Sequence, residues 1–183
     1  HPLQNLGRKC ALYDLQDDLS VDVDQLDGLA ASGAFAVIVV IHYFGKTEPK
    51  IDQIHAIAQR HGLALVEDLA HGLFTAMRGG PAGRHGDVNL FSLHKMLPMR
   101  SGGMVSYGNP RLVGKQRSTR PDLAAEILSY DFSNIAARRR KNFEGLTQRL
   151  LALPLTGTFF RLACPAPSEH VVPPTLHFHT HGL

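Results

Sequence analysis

The chain is short of most features that would take it outside ordinary globular chemistry. Its 2 cysteines, Cys10 and Cys164, stand near opposite ends of the sequence, with no CxxC spacing and no Cys/His grouping, so neither a disulfide framework nor a cysteine-based zinc site is expected. The longest apolar run, Ala34 to Ile41, falls far short of the ~20 residues that a membrane-spanning helix requires. The opening HPLQNLGRK lacks both the apolar core of a secretory signal and an initiator methionine. The chain is therefore expected to be part of a longer protein in a reducing, cytoplasmic setting. Charge of one sign is scarce: the formal net charge is +3 over 183 residues, which argues against a nucleic-acid partner. One dense basic cluster, Arg138-Arg139-Arg140-Lys141, reads as the solvated side of a helix whose other side carries Ile135, Phe143, Leu146, Leu150 and Leu153.

What is present is an α/β pattern over residues 9–106. KCALYDL is a short apolar opening stretch, and DVDQLDGLAASG begins with acidic residues suited to a helix N-terminus and closes on Gly33. FAVIVVI is rich in β-branched residues and apolar at every position, the pattern of a strand covered on both faces in a parallel sheet. Ile51, Ile54, Ile57 and Ala58 share one helical face, with Gly62 where a left-handed terminating residue is favoured. LALVED then reads as the third strand, VNLFSL as the fourth after a glycine-rich loop, and GGMVSYG as a short fifth.

Ligands of open α/β sheets bind beyond the carboxyl ends of the strands. Two polar groups there suit one chemistry. Asp68 ends an apolar strand, where a cationic partner such as a protonated pyridine nitrogen keeps a carboxylate ionised. Lys95 follows another strand end, where partial desolvation favours Schiff base chemistry. Each also has a plainer reading, Asp68 as the cap of the next turn and Lys95 as a solvated side chain. His177, His179 and His181 share one face of an extended strand, but with no carboxylate or cysteine beside them they read as a chain end, and no metal is expected.

VIHYFG, HGLALVEDLAHGLFTAMRGGPAGRHGDVNLFSLHK and SGGMVSYGNP resemble, in order and spacing, the large domain of the DegT/DnrJ/StrS family of pyridoxal-phosphate-dependent sugar aminotransferases. The resemblance runs from Ala11 to Gly108 and resumes more faintly in IAARRRKNFEGLTQRLLALP. It implies a fold-type I large domain, a mostly parallel sheet flanked by helices, over residues 1–108, a linker over 109–133, and the beginning of a small C-terminal domain over 134–183. Lys95 would form the internal aldimine and later move the proton. Asp68 would keep the pyridine nitrogen protonated, making the ring an electron sink. His71 would lie beside the ring, and Ser92 would help hold the phosphate. His42 and Tyr43 match a histidine-bearing loop that either contacts substrate or forms a structural turn ending at Gly45.

The implied reaction moves an amino group from glutamate to a keto sugar nucleotide, in a homodimer that completes its site across the interface. The asparagine-bearing loop that usually reaches over is not recognisable near Asn134. A dehydratase branch of the family carries histidine in place of the lysine, and Lys95 argues against it. The alternative is a catalytically silent homologue that binds the cofactor or a partner. Two departures stand out. The interval from Ser92 to Lys95 is shorter than in many members, and the family's phosphate loop would lie before His1.

Overall fold

The computed structural model describes residues 7–114, 120–154, 160–162, 171–173 and 178–180. Each early helix is set by its ends. Helix α1 (Val23–Ala31) starts on Asp22, whose side chain accepts from the Gln25 amide at 3.0 Å, satisfying one of the N–H groups a helix start leaves open. Helix α2 (Ile51–His61) stops at Gly62, left-handed with φ 67°, and Leu63 then donates back to the Ala58 carbonyl at 2.9 Å. Its Ile51, Ile54, Ile57 and Ala58 are all buried, as their spacing predicts.

These helices pack on one sheet of order β1-β2-β3-β4, formed by β1 (Val37–Ile41), β2 (Ala64–Asp68), β3 (Val88–Ser92) and β4 (Gly103–Tyr107). The first three strands are parallel and β4 runs antiparallel to β3. KCALYDL does not supply a strand. Leu12 is 90% exposed there, and the segment makes one isolated bridge, Leu15 with Val21. Its Tyr13 hydroxyl donates to the Val39 carbonyl on the outer edge of β1 at 2.6 Å.

The expectation that both faces of β1 are covered is met on one side only. Ile38 and Val40 are buried against Leu26 and Ala30 of α1 and Ile54, Ile57 and Ala58 of α2. Val37, Val39 and Ile41 point the other way and are exposed.

A second core joins helix α3 (Leu73–Met77), the one-turn helix α4 (Leu93–Met96) and the long helix α6 (Phe132–Leu151), through Leu73, Phe74, Leu93, Met96 and Ala136. Within the interval read as a linker lie a 3-10 turn, Pro110–Leu112, and helix α5 (Pro121–Leu128). Strands β5 (Phe160–Leu162) and β6 (Phe178–Thr180) form a separate antiparallel pair. Cys164, His177 and His181 lie outside the described residues. Among the described residues, no helix is long and apolar enough to cross a membrane and no group of side chains could hold a metal ion.

Candidate active site

Strand alternation decides what the end of β2 presents. Glu67 turns inward and is fully buried, while Asp68 takes the opposite face. The Glu67 carboxylate accepts from the amides of Gly83 at 2.6 Å, His85 at 2.8 Å and Gly86 at 2.5 Å, and from His42 Nε2 at 2.7 Å. Burial alone would raise its pKa, but the bonds from His42, Gly83 and Gly86 outweigh burial and hold it below the usual carboxylate range.

His42 is a strut in this network. Its Nδ1 accepts the Glu48 amide at 3.0 Å, so the proton sits on Nε2 and is donated to Glu67. With 2% of its surface exposed and both ring nitrogens engaged, His42 has nothing left to offer a substrate. For His42, the structural turn is the role this geometry serves. The turn that follows, Tyr43–Gly45, is pinned by Thr75 Oγ1, which donates to the Gly45 carbonyl at 2.6 Å. It holds Phe44 at φ 58°, a left-handed conformation unusual for a bulky residue. Phe44 lies parallel to His71, with ring centroids 6.3 Å apart and 15° between planes. Tyr43 is half-buried beside Phe44.

The structure brings three of the expected residues together at the carboxyl ends of β2 and β3. Asp68 Oδ1 accepts the Ala70 amide at 2.9 Å, the turn-capping role, and among the described residues Oδ2 has no hydrogen-bond partner. His71 sits on the loop that this cap shapes, its pKa pushed down by burial and then by the charge of Lys95, with the charge of Asp68 pulling the other way. One imidazole thus senses both the ammonium and the carboxylate. Lys95 projects from α4, exposed.

Ser92 ends β3 on the same face as Asp68, since Asp68 pairs with Leu90 and Ser92 lies two residues on. Its hydroxyl is 3.3 Å from His94 Nδ1, which also meets the Gly102 carbonyl at 3.2 Å. The neighbour of Lys95 therefore ties β3 to the start of β4. Sequence reasoning gave His94 no such role.

A cavity of about 620 Å³ opens beside Lys95, walled by Pro98 and by Arg138, Arg139, Asn142 and Phe143 of α6. Here the reading of the basic cluster as a solvated face holds for Arg138 and Lys141, which are exposed, and is corrected for Arg139 and Arg140. Arg139 Nη2 donates to the Met96 carbonyl at 2.9 Å, and Arg140 Nη1 to the Val171 carbonyl at 3.2 Å. These two side chains turn inward because guanidinium stems pack on apolar surface while their donors find carbonyls. Glu67, Phe44 and Arg139 were missed as contributors. For Glu67 a signal existed, since alternation along LALVED puts it and Asp68 on opposite faces.

A model of the DegT/DnrJ/EryC1/StrS aminotransferase family matches residues 1–123. The chain is 39% identical over 90 residues to a Streptomyces kanamyceticus protein named "Putative L-glutamine:3-amino-2,3-dideoxy-scyllo-inosose aminotransferase", a stretch covering 45% of this chain and 21% of that protein. It is 25% identical over 112 residues to the UDP-4-amino-4,6-dideoxy-N-acetyl-beta-L-altrosamine transaminase of Campylobacter jejuni, covering 60% of this chain and 30% of the relative. Among solved structures, the aminotransferase TlmJ from Streptoalloteichus hindustanus superposes with a TM-score of 0.71 at 20% identity, covering 98% of this chain and 55% of that one. DesI, solved in the presence of its TDP-sugar product, gives 0.66 at 24% identity, covering 95% and 49%. These two likenesses show the fold alone, which this chain shares with both. The chain spans about half the length of these solved structures and less than a third of the two curated relatives. With the family match extending over most of the sequence, the chain belongs to the DegT/DnrJ/EryC1/StrS aminotransferase family.

Proposed function

We propose that the protein containing this chain is an aminotransferase that uses pyridoxal phosphate to move an amino group from glutamate to a keto sugar nucleotide. The observation that carries this reading is the placement of Asp68 and Ser92 on one face at the adjacent carboxyl ends of β2 and β3, with Lys95 on the helix that follows β3. The family is pyridoxal-phosphate-dependent, and the residues present suit the group. Asp68 keeps one carboxylate oxygen without a hydrogen-bond partner among the described residues, and Lys95 presents an exposed amine.

Bound there, the coenzyme supplies an electron sink for a carbanion. Asp68 Oδ2 would hold a proton on the ring nitrogen, and Lys95 Nζ would hold the coenzyme at its aldehyde group and, as a free amine, would serve as the base that takes up and returns a proton. His71, lowered in basicity and stacked on Phe44, offers a flat, largely neutral ring against which the heterocycle can lie. The Ser92 hydroxyl is suited to donate to the phosphate. Two relatives' names support the proposed donor and acceptor: the Streptomyces relative's name carries L-glutamine, the amide of the proposed donor, and the Campylobacter relative's a UDP-linked amino sugar. A homodimer and a cytoplasmic setting belong to the same proposal.

The test is direct. Full-length protein mixed with pyridoxal phosphate should develop visible absorbance, borohydride should fix the coenzyme to the peptide containing Lys95, and Lys95→Ala should abolish both. Fixation at another residue would overturn the assignment. If fixation occurs but neither glutamate nor glutamine converts the coenzyme to its amine form, the catalytically silent homologue becomes the better reading.

A further inference from the structure

Helix α4, which carries Lys95, is 4 residues long, too short to hold itself in water. Leu93 and Met96 anchor it from below, at 1% and 0% exposure. Its carboxyl end is harder to satisfy. The chain leaves the helix at Leu97 in an extended conformation and meets Pro98, which has no N–H to return. The carbonyls of Lys95 and Met96 are therefore left facing away from any helical donor.

The Arg139 guanidinium fills that gap. Its Nη2 donates to the Met96 carbonyl at 2.9 Å and reaches the Lys95 carbonyl at 3.5 Å. Its carbon centre lies 5.7 Å above the ring of Phe74, a buried residue of α3, the helix that follows the end of β2 at Asp68 and the loop bearing His71. Phe74 in turn meets Phe132, at the start of α6, edge to face at 6.3 Å. One guanidinium thus touches the helix that carries Lys95 and the helix that follows the turn capped by Asp68. Its setting is costly, because among the described residues no carboxylate lies within ion-pair distance of it, and burial pushes its pKa below the usual value. A solvated surface arginine would not accept that cost.

We infer that Arg139 is a positioning residue for Lys95, closing the carboxyl end of α4 and fixing the angle at which the Lys95 amine meets the coenzyme. The inference rests on the role of Lys95 proposed above. It differs from a purely structural staple in one respect: loosening Arg139 must change the orientation of bound coenzyme, not only the melting temperature.

The experiment compares full-length wild type, Arg139→Met, Arg139→Lys and Lys141→Met, the last an exposed neighbour in the same cluster. Each is loaded with pyridoxal phosphate. The measurements are the rate of colour formation, the visible circular dichroism per coenzyme fixed at Lys95 by borohydride, and hydrogen exchange at the Leu97 amide, which closes α4 by bonding to Leu93. Arg139→Met is expected to slow colour formation about tenfold, to at least halve the dichroism per fixed coenzyme, and to speed exchange at Leu97. Arg139→Lys should recover more than half of each loss, and Lys141→Met should match wild type. Should Arg139→Met fail to fold, Phe74→Leu, which removes the ring beneath the guanidinium, is expected to give the same changes more weakly. Wild-type fixation with unchanged dichroism in Arg139→Met overturns this inference alone. Wild-type protein that fixes no coenzyme at Lys95 overturns the proposed function and this inference with it.

Discussion

The two faces of the sheet are written in similar residues and meet opposite fates. On one face Ile38, Val40 and Leu65 lie under α1 and α2 at 5% exposure or less, and even the carboxylate of Glu67 is fully enclosed. On the other, the strand register aligns Val37, Val39 and Ile41 of β1 with Leu90 of β3 and Val105 and Tyr107 of β4. All six are 37–48% exposed. Parallel strands are normally apolar on both faces because both are covered, and an open apolar face of this extent marks a surface made for contact. Asp68 and Ser92 stand at the end of this open face. Packing fixes the covered face, and the open face carries the polar groups to which the proposed function assigns the chemistry.

The largest effect should come from the covered side. Removing the Glu67 side chain orphans three backbone amides and the His42 ring, so Glu67→Ala is expected to cost about 3–5 kcal/mol in a denaturant titration. Glu67→Gln, which keeps the shape, tests the charge through pH. The folded pKa of Glu67 lies below its ordinary value of 4.5. Its contribution is therefore present above 4.5 and is lost as pH falls through the lower folded value. Wild type should lose this increment on acidification, and Glu67→Gln should not. An unchanged acid limb in the variant would show that the network is not carried by the ionised carboxylate.

A matched pair then sets the faces against each other. Ile38 and Ile41 are the same residue on the same strand, at 5% and 37% exposure. Ile38→Ala should cost about 2–5 kcal/mol, and Ile41→Ala no more than about 0.5 kcal/mol in this chain alone. If Ile41→Ala proves as costly as Ile38→Ala in the full-length protein or an assembly of it, the open face is covered there, and the difference between the two measurements gives the worth of that cover.

How much of this was legible depended on whether the signal was local. The α2 stripe and its Gly62 stop, the Asp22 cap and the β-branched run of β1 announce themselves within a few residues, because period and cap chemistry are local properties. Asp68 and Lys95 could be nominated because strand ends are where sheets present polar groups. Glu67 stood one residue from Asp68, but its partners lie in a loop sixteen to nineteen positions on, so its satisfaction was invisible to spacing. The same holds for Arg139. A helical wheel places it beside solvated neighbours, and only the docking of α6 on α4 supplies the carbonyl that turns it inward. KCALYDL failed for the converse reason: a short apolar run becomes a strand only if a neighbouring edge accepts it, and β1 receives a single tyrosine hydroxyl instead.

The smallest effect is a titration, and it tests whether the end of the open face is one site. His71 is pushed below 6.5 by burial and by Lys95, while Asp68 opposes the shift. Followed by NMR in the coenzyme-free protein, the His71 midpoint should lie below 6.5. Lys95→Met should raise it, because a repelling cation is gone, and Asp68→Asn should lower it further, because the charge that favours the imidazolium is gone. The linked stability has the same sign: protonating His71 is easier in the unfolded chain, so its contribution is present above 6.5 and declines as pH falls toward the lower folded value. Opposite movements in the two variants require both charges to reach one ring. If either substitution leaves the midpoint where it was, Lys95 and Asp68 do not share a crevice, and the chemistry assigned to the open face loses its footing while the covered face stands unchanged.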